Sequence, residues 1–137
     1  MTKLILQNIG AILISFFVAI LLLAGIEWLG TILHPFPSDF AGTREEVIQH
    51  VSIYPTGGLF VGGLGWAITM FIATWLATRL NSNRQPVYGF GIGLLLLSGA
   101  IFNMAMLPYP LWFWILCLVL LPLSINFGFR LGTPGSA

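Results

Sequence analysis

Four long apolar segments make up most of this sequence and constrain its fold more than any other feature. They are Leu4–Leu33, Gly57–Leu80, Val87–Leu107 and Leu111–Phe129. About 20 apolar residues in a helix cross the ~30 Å hydrocarbon core of a bilayer, so each segment is long enough to span it. Helix is the expected form because lipid offers no partner for an unpaired backbone N–H or C=O group.

The composition supports the same class of protein. Hydrophobic residues make up 58% of the chain and charged residues only 7%, whereas roughly a quarter of a soluble domain is charged. We therefore predict an all-α membrane protein, a single four-transmembrane-helix bundle with a short external amphipathic helix between helices 1 and 2. The expected bounds are about 4–33, 57–80, 87–107 and 111–130 for the helices, 34–55 for the external loop and 131–137 for a short tail.

The few charged residues predict the topology. Four of the basic residues lie before the first segment, at or just after the end of the second segment, or after the fourth: Lys3, Arg79, Arg84 and Arg130. All the acids lie at or beyond the far end of the first segment: Glu27, Asp39, Glu45 and Glu46. Cytoplasmic loops are enriched in Lys and Arg, so both termini should be cytoplasmic.

The loop between the first two segments contains a helix-start signal. Thr43 followed three residues later by Glu46 matches a capping box. Val47, Val51 and Tyr54 then repeat at helical spacing and give the short helix one apolar face. We expect it to lie on the outer membrane surface or to cap the bundle.

Glycines at four-residue spacing predict close helix contacts. Small residues let two membrane helices approach and gain dispersion contact that lipid cannot replace. The helix-packing candidates in the second and third segments are Gly58, Gly62, Gly63, Gly89 and Gly93. Contacts within one chain and contacts between two copies both remain open.

Several polar and aromatic residues fall at the outer level of the predicted bundle. A polar group at membrane depth is costly unless it is paired, so Asn103 needs a partner, and Glu27 is a candidate. We predict a small outward-facing vestibule lined by Glu27, His34, Asn103, Tyr109 and Trp112. The alternative is an interhelical hydrogen bond among ordinary interfacial side chains.

The sequence gives no ground for a cofactor, a catalytic residue or nucleic-acid binding. Glu46 and His50 stand at i and i+4 and could supply two metal ligands, but a competent site normally needs three or four. The glycines of "GFGIG" open a membrane segment instead of following a soluble strand, so they indicate packing. A net charge of +1 offers no basic patch for nucleic acid.

Four stretches together resemble a family of small four-helix bacterial inner-membrane proteins of unknown function. They are "EWLGTILHPFP" (Glu27–Pro37), "YPTGGLFVGGLGWAITMFIATWLATRL" (Tyr54–Leu80), "NMAMLPYPLWFW" (Asn103–Trp114) and "LPLSINFGFRLG" (Leu121–Gly132). The resemblance covers most of the chain except the external loop. It implies the four-helix fold and the cell inner membrane as the location, but no activity.

These observations leave three functions to compare. The first is a non-catalytic accessory or interaction protein, or a self-associating bundle, in contact with membrane lipids and with a protein partner or a second copy. The second is a small oligomeric transporter or channel with Glu27 and Asn103 on its path. The third is a lipid- or quinone-binding membrane enzyme.

Overall fold

The computed structural model describes residues 1–82 and 85–135, and most residues in these ranges are helical. The predicted Arg84 of the second cytoplasmic link, and the end of the tail, lie outside the described residues. The all-α prediction is confirmed. The helices are α1 (Thr2–Leu33), α2 (Arg44–Ser52), α3 (Thr56–Leu80), α4 (Pro86–Met106) and α5 (Leu111–Gly132).

Four of these helices, α1, α3, α4 and α5, are long and apolar enough to cross a membrane. This makes the chain a multi-pass membrane protein. The helix α1 has 32 residues, about 48 Å at ~1.5 Å per residue, which exceeds the ~30 Å hydrocarbon core. At the other end of the chain α5 continues to Gly132, so the tail is shorter than the sequence indicates.

The helix α3 lies at the centre of the bundle and contacts α1, α4 and α5. Its buried positions are mostly small residues, including Gly63, Ala67, Ala73, Thr74 and Ala77. Small side chains permit the close approach of three neighbours at once. We call the end of the bundle that carries both termini and the α3–α4 link the terminal end, and the opposite end the α2 end.

Glycines on α4 and α5 let both helices pack tightly on α3 towards the terminal end. A Cβ at Gly89 would overlap the Thr78 hydroxyl and lie 2.8 Å from the Thr74 carbonyl oxygen. A Cβ at Gly128 would lie 2.6 Å from the Phe71 carbonyl oxygen. The backbones themselves are therefore in contact, and no side chain could intervene.

Hydrogen bonds between polar side chains close the terminal end. The Asn8 side-chain oxygen on α1 accepts from the backbone N–H of Ser82 (2.8 Å) and from its hydroxyl (2.7 Å), and the Asn8 amide donates to the Tyr88 hydroxyl (2.9 Å). The buried Asn81 donates to the Ala77 carbonyl (2.7 Å). We call these contacts the Asn8 network. It joins α1 to the ends of both α3 and α4.

At the α2 end, the capping box is confirmed. The Thr43 hydroxyl accepts from the Glu46 backbone N–H (3.3 Å), and the Glu46 carboxylate accepts from the backbone N–H groups of Thr43 (2.9 Å) and Ala41 (3.0 Å). The Thr43 N–H in particular holds the pKa of Glu46 below its usual value. The start of α2 is thereby fixed by its own sequence.

Candidate functional site

A cavity of about 340 Å³ lies at the α2 end, beneath α2 and between α1, α3 and the α4–α5 turn. We call it the vestibule. Glu27, His34, Asn103 and Tyr109 all line it, so the structure brings four of the five predicted vestibule residues to one cavity. The first two lie at the end of α1 and the last two lie near the α4–α5 turn, so the return of the chain to this end through α4 places the two pairs together.

Trp112 is the exception, since it is not among the residues that line the vestibule. Its ring packs edge-on against Phe113 with the ring centroids 5.8 Å apart. Successive helical residues point about 100° apart. Phe113, which is 1% exposed, takes the inward direction.

The partner of Asn103 is Tyr109 instead of the expected Glu27. The Tyr109 hydroxyl donates to the Asn103 side-chain oxygen at 3.0 Å. Burial, together with the nearby charge of Glu27, raises the pKa of Tyr109 to about 12. The hydroxyl therefore remains protonated, and remains a donor, across the physiological pH range.

Four stacked or edge-on rings form the roof of the vestibule, which we call the aromatic roof: His34, Phe36, His50 and Tyr54. The His34 and His50 rings stack with centroids 4.1 Å apart, and Phe36 stacks on His50 at 4.3 Å. His34 Nε2 also donates to the His50 carbonyl oxygen at 3.2 Å. Burial, and then the neighbouring His34, lower the pKa of His50, so His50 favours the neutral form.

Tyr54 is seated between two helices by glycines. A Cβ at Gly30 on α1 would lie 2.7 Å from the Tyr54 hydroxyl oxygen, and a Cβ at Gly58 on α3 would lie 2.6 Å from its ring. Burial, and then the charge of Glu27, raise the pKa of Tyr54. The structure thus assigns Gly58 to holding Tyr54, whereas the sequence suggested a helix–helix contact.

The other candidate glycines divide between packing and open space. A Cβ at Gly63 would lie 3.2 Å from the Phe113 ring of α5, and one at Gly93 would lie 2.7 Å from Ile125. Gly89 packs against α3 as described above. Gly62, by contrast, lines the vestibule, and a Cβ there would meet nothing within 4 Å. Its expected packing role within the chain is therefore corrected.

A second cavity, of about 450 Å³, runs along the bundle between α1 and α4 with α3 as its floor. We call it the lateral groove. Its walls are mostly apolar and include Phe16 and Leu23 of α1 and Leu95 and Gly99 of α4. This groove was not predicted, because a segment that is apolar on all sides does not indicate which side faces a neighbour.

Three residues line both the vestibule and the lateral groove: Glu27, Trp66 and Asn103. The Trp66 ring lies edge-on to Tyr109 and Phe113, with centroids 6.3 and 5.8 Å apart. No sequence pattern indicated a role for Trp66, which lies ten residues after the start of α3. These three residues form a shared border between the vestibule, which has polar and aromatic lining residues, and the mostly apolar lateral groove.

The metal candidates Glu46 and His50 have other contacts. Glu46 accepts the two backbone hydrogen bonds of the capping box, and His50 stacks in the aromatic roof. Within residues 1–82 and 85–135, no three His, Cys, Asp or Glu side chains are grouped closely enough to hold a metal ion.

Comparison with known proteins gives no further guide, since no family model, no curated protein and no solved structure matches the chain. Membership of the small bacterial four-helix family stays a prediction. The function must be argued from the two cavities.

Proposed function

We propose that the chain is a non-catalytic membrane protein that binds an amphiphilic molecule taken from the bilayer. The polar head would lie in the vestibule and the apolar chain in the lateral groove. The observation that supports this most directly is that Glu27, Trp66 and Asn103 line both cavities, so a single molecule could occupy the two together.

The sizes and linings of the two cavities support a ligand with two unlike parts. At about 340 and 450 Å³, each falls in the range typical of small-molecule sites. The vestibule offers a carboxylate, an amide and hydroxyl groups that could orient a head group. The lateral groove offers aliphatic and aromatic surface that suits a hydrocarbon chain.

The state of the polar groups favours binding over catalysis. The Tyr109 hydroxyl is bonded to Asn103, and His34 is bonded to the His50 carbonyl. The pKa values of Tyr54 and Tyr109 are raised, so neither phenol is available as an anionic nucleophile or base near neutral pH.

The charge distribution supports an orientation in the cell inner membrane with both termini in the cytoplasm. Lys3, Arg79 and Arg130 accompany the terminal end, whereas Asp39, Glu45 and Glu46 accompany the α2 end. Cytoplasmic segments are the ones enriched in basic residues. In this orientation the lateral groove faces the outer leaflet, from which the ligand would enter.

A protein partner is the second candidate for the lateral groove. Gly99 is exposed there, and a Cβ at this position would meet nothing within 4 Å. A helix of a partner, or of a second copy, could approach closely over such a glycine. A transport path through one chain is less well supported, because it would also need the close-packed terminal end to open.

The test compares two glycine substitutions on α4 in native mass spectrometry after gentle extraction. Gly99→Leu places a side chain in the lateral groove, whereas Gly91→Leu places one where the structure also shows nothing within 4 Å but outside both cavities. We expect the wild type and Gly91→Leu to carry a bound amphiphile and Gly99→Leu to lose it. Equal occupancy in all three would contradict the proposal.

The same experiment identifies the alternative. If a protein or a second copy co-purifies with the wild type, and Gly99→Leu releases it while amphiphile content stays unchanged, the groove binds a helix instead.

A further inference from the structure

The lining of the vestibule contains an acidic side chain without a basic Lys or Arg among the described residues. This side chain is the carboxylate of Glu27. We infer that the amphiphile has a cationic head, an alkylammonium group, held by Glu27 and by the surrounding aromatic rings. This inference rests on the proposed function and specifies its ligand class.

The aromatic rings are placed where they could attract a cation. Tyr109 stacks on Phe113 with centroids 4.9 Å apart, and Trp66 lies edge-on to both. A cation within about 6 Å of an aromatic face is attracted by the ring quadrupole, most strongly by that of Trp. Trp66 stands at the junction of the two cavities, which is where the charged head of an amphiphile would meet its chain.

The ionisation of the vestibule keeps its negative charge on one side chain. Burial and the Glu27 charge raise the pKa values of Tyr54 and Tyr109, so both phenols remain neutral. His34 and His50 are the other titratable groups that line this cavity, and their stacked rings extend the aromatic wall. A cationic head would therefore meet the Glu27 carboxylate among aromatic rings.

Other head groups fit this lining less well. An anionic head would lie beside Glu27 with no described Lys or Arg in the lining to offset the repulsion. A phosphate beside an ammonium, as in a zwitterionic phospholipid, would lack the Arg or Lys that commonly holds phosphate. These considerations favour a head with a single positive charge.

The experiment measures binding of three probes with one dodecyl chain and different heads. The probes are dodecyltrimethylammonium, dodecyl maltoside and dodecyl sulfate, each added below its micellar concentration. The protein is held in nanodiscs of digalactosyldiacylglycerol, a neutral lipid without an ammonium group, and binding to empty nanodiscs is subtracted. We expect the ammonium probe to bind most tightly and the sulfate probe most weakly.

Substitutions then test which groups cause the preference. Glu27→Gln should weaken binding of the ammonium probe roughly fivefold, which is the effect of one partly exposed charge pair. Binding of the maltoside probe should be unchanged. Glu45→Gln is the matched control, because Glu45 is exposed on α2 and does not line the vestibule. Trp66→Phe retains a ring and should weaken the ammonium probe less than Trp66→Leu. Circular dichroism and the melting temperature check that each variant is folded.

The outcomes separate this inference from the proposed function. If the three probes bind equally, or if Glu27→Gln leaves the affinity for the ammonium probe unchanged, the inference of a cationic head group is wrong. Amphiphile binding still stands in that case. If no probe binds, or Gly99→Leu binds all three as the wild type does, the proposed function itself fails. Doping with phosphatidylethanolamine tests whether a zwitterionic head competes for the site. The ammonium probe should stay bound, and its displacement would contradict a head with a single positive charge while amphiphile binding stands.

Discussion

The two ends of this bundle are built from different residues and have different packing. At the terminal end, glycines and threonines bring helix backbones into contact, and the Asn8 network closes the bundle. At the α2 end, large rings stack around open space of about 340 Å³. The comparison indicates that backbone contacts dominate one end, while aromatic side chains around a cavity dominate the other.

The difference follows from side-chain shape. Small residues allow two helices to meet backbone to backbone, which leaves little volume between them. Aromatic rings are rigid and pack in a limited set of offset or edge-on arrangements, and the rings of Trp66, Tyr109 and Phe113 pack in this way beside the vestibule. Stability should therefore depend mostly on the terminal end, and ligand binding on the α2 end.

The largest effect on stability is expected for Gly89→Ala at the terminal end. The added methyl group would overlap the Thr78 hydroxyl and press on the Thr74 carbonyl, and overpacking of this kind costs about 1–3 kcal/mol. Gly91→Ala on the same helix is the control, because its Cβ would meet nothing within 4 Å. Unfolding in mixed micelles measures both; equal midpoints would contradict the packing described for this end.

A smaller difference is expected between two asparagines, one from each end. Asn8→Ala leaves the Ser82 N–H and hydroxyl and the Tyr88 hydroxyl without their partner, and should cost about 1–2 kcal/mol. Asn103→Ala removes one exposed hydrogen bond from Tyr109 and should cost about 0.5 kcal/mol. The same unfolding assay applies. A larger loss for Asn103→Ala would reverse the comparison between the ends.

The ends should also differ in their response to pH. The folded-state pKa of His50 is lowered from a usual 6.5, so the unfolded chain binds the proton more readily. His50 makes its whole contribution to the free energy of unfolding above about pH 6.5, and this contribution decreases as the pH falls below that value. The Asn8 network contains neutral amide and hydroxyl groups, which should give no such change in this range.

Melting temperatures measured between pH 8 and 5 check this expectation. The wild type should lose stability below about pH 6.5, and His50→Phe, which keeps a ring in the stack with His34 and Phe36, should lose less. Glu46 does not affect this comparison. Its folded-state pKa is lowered from the usual 4.5, so the stability that it contributes is lost only as the pH falls below that value. Identical profiles for the two proteins would show that His50 does not cause the change.

The smallest effect on stability is expected for Gly62→Ala at the α2 end. Nothing lies within 4 Å of the added carbon, so the free energy of unfolding should change by less than about 0.5 kcal/mol. Gly62 nevertheless lines the vestibule, and the substitution should weaken amphiphile binding in the nanodisc assay. A loss of stability as large as that of Gly89→Ala would show that the α2 end is as tightly packed as the other.

The sequence predicted the helices well because their signals are local. Apolar segment length and the Thr43 capping box placed every helix start within about two residues. Depth along the segments also indicated that Glu27, His34, Asn103 and Tyr109 share one level. The sequence could not predict which side of each helix faces its neighbours, because segments that are apolar on all sides have no preferred face.

For this reason the sequence analysis did not identify Trp66 and Tyr54 as vestibule residues and did not predict the lateral groove. It placed Trp112 in the vestibule, which Trp112 does not line. The pairing of Tyr109 with Asn103 depends on how the α4–α5 turn folds back, which residue depth does not specify. The stacking of His34 on His50 likewise requires α2 to lie over the end of α1. These are tertiary contacts, and no local pattern encodes them.

Tyr54 packs between Gly30 and Gly58 and thereby restricts movement of the aromatic roof. It fastens the C-terminal end of α2 to two membrane helices at once, whereas the opposite end follows Gly42, whose φ of 80° suits glycine. The aromatic roof is therefore held in place on the Tyr54 side, where α2 joins α3. For the proposed amphiphile we expect exchange through the lateral groove, between α1 and α4, without displacement of α2.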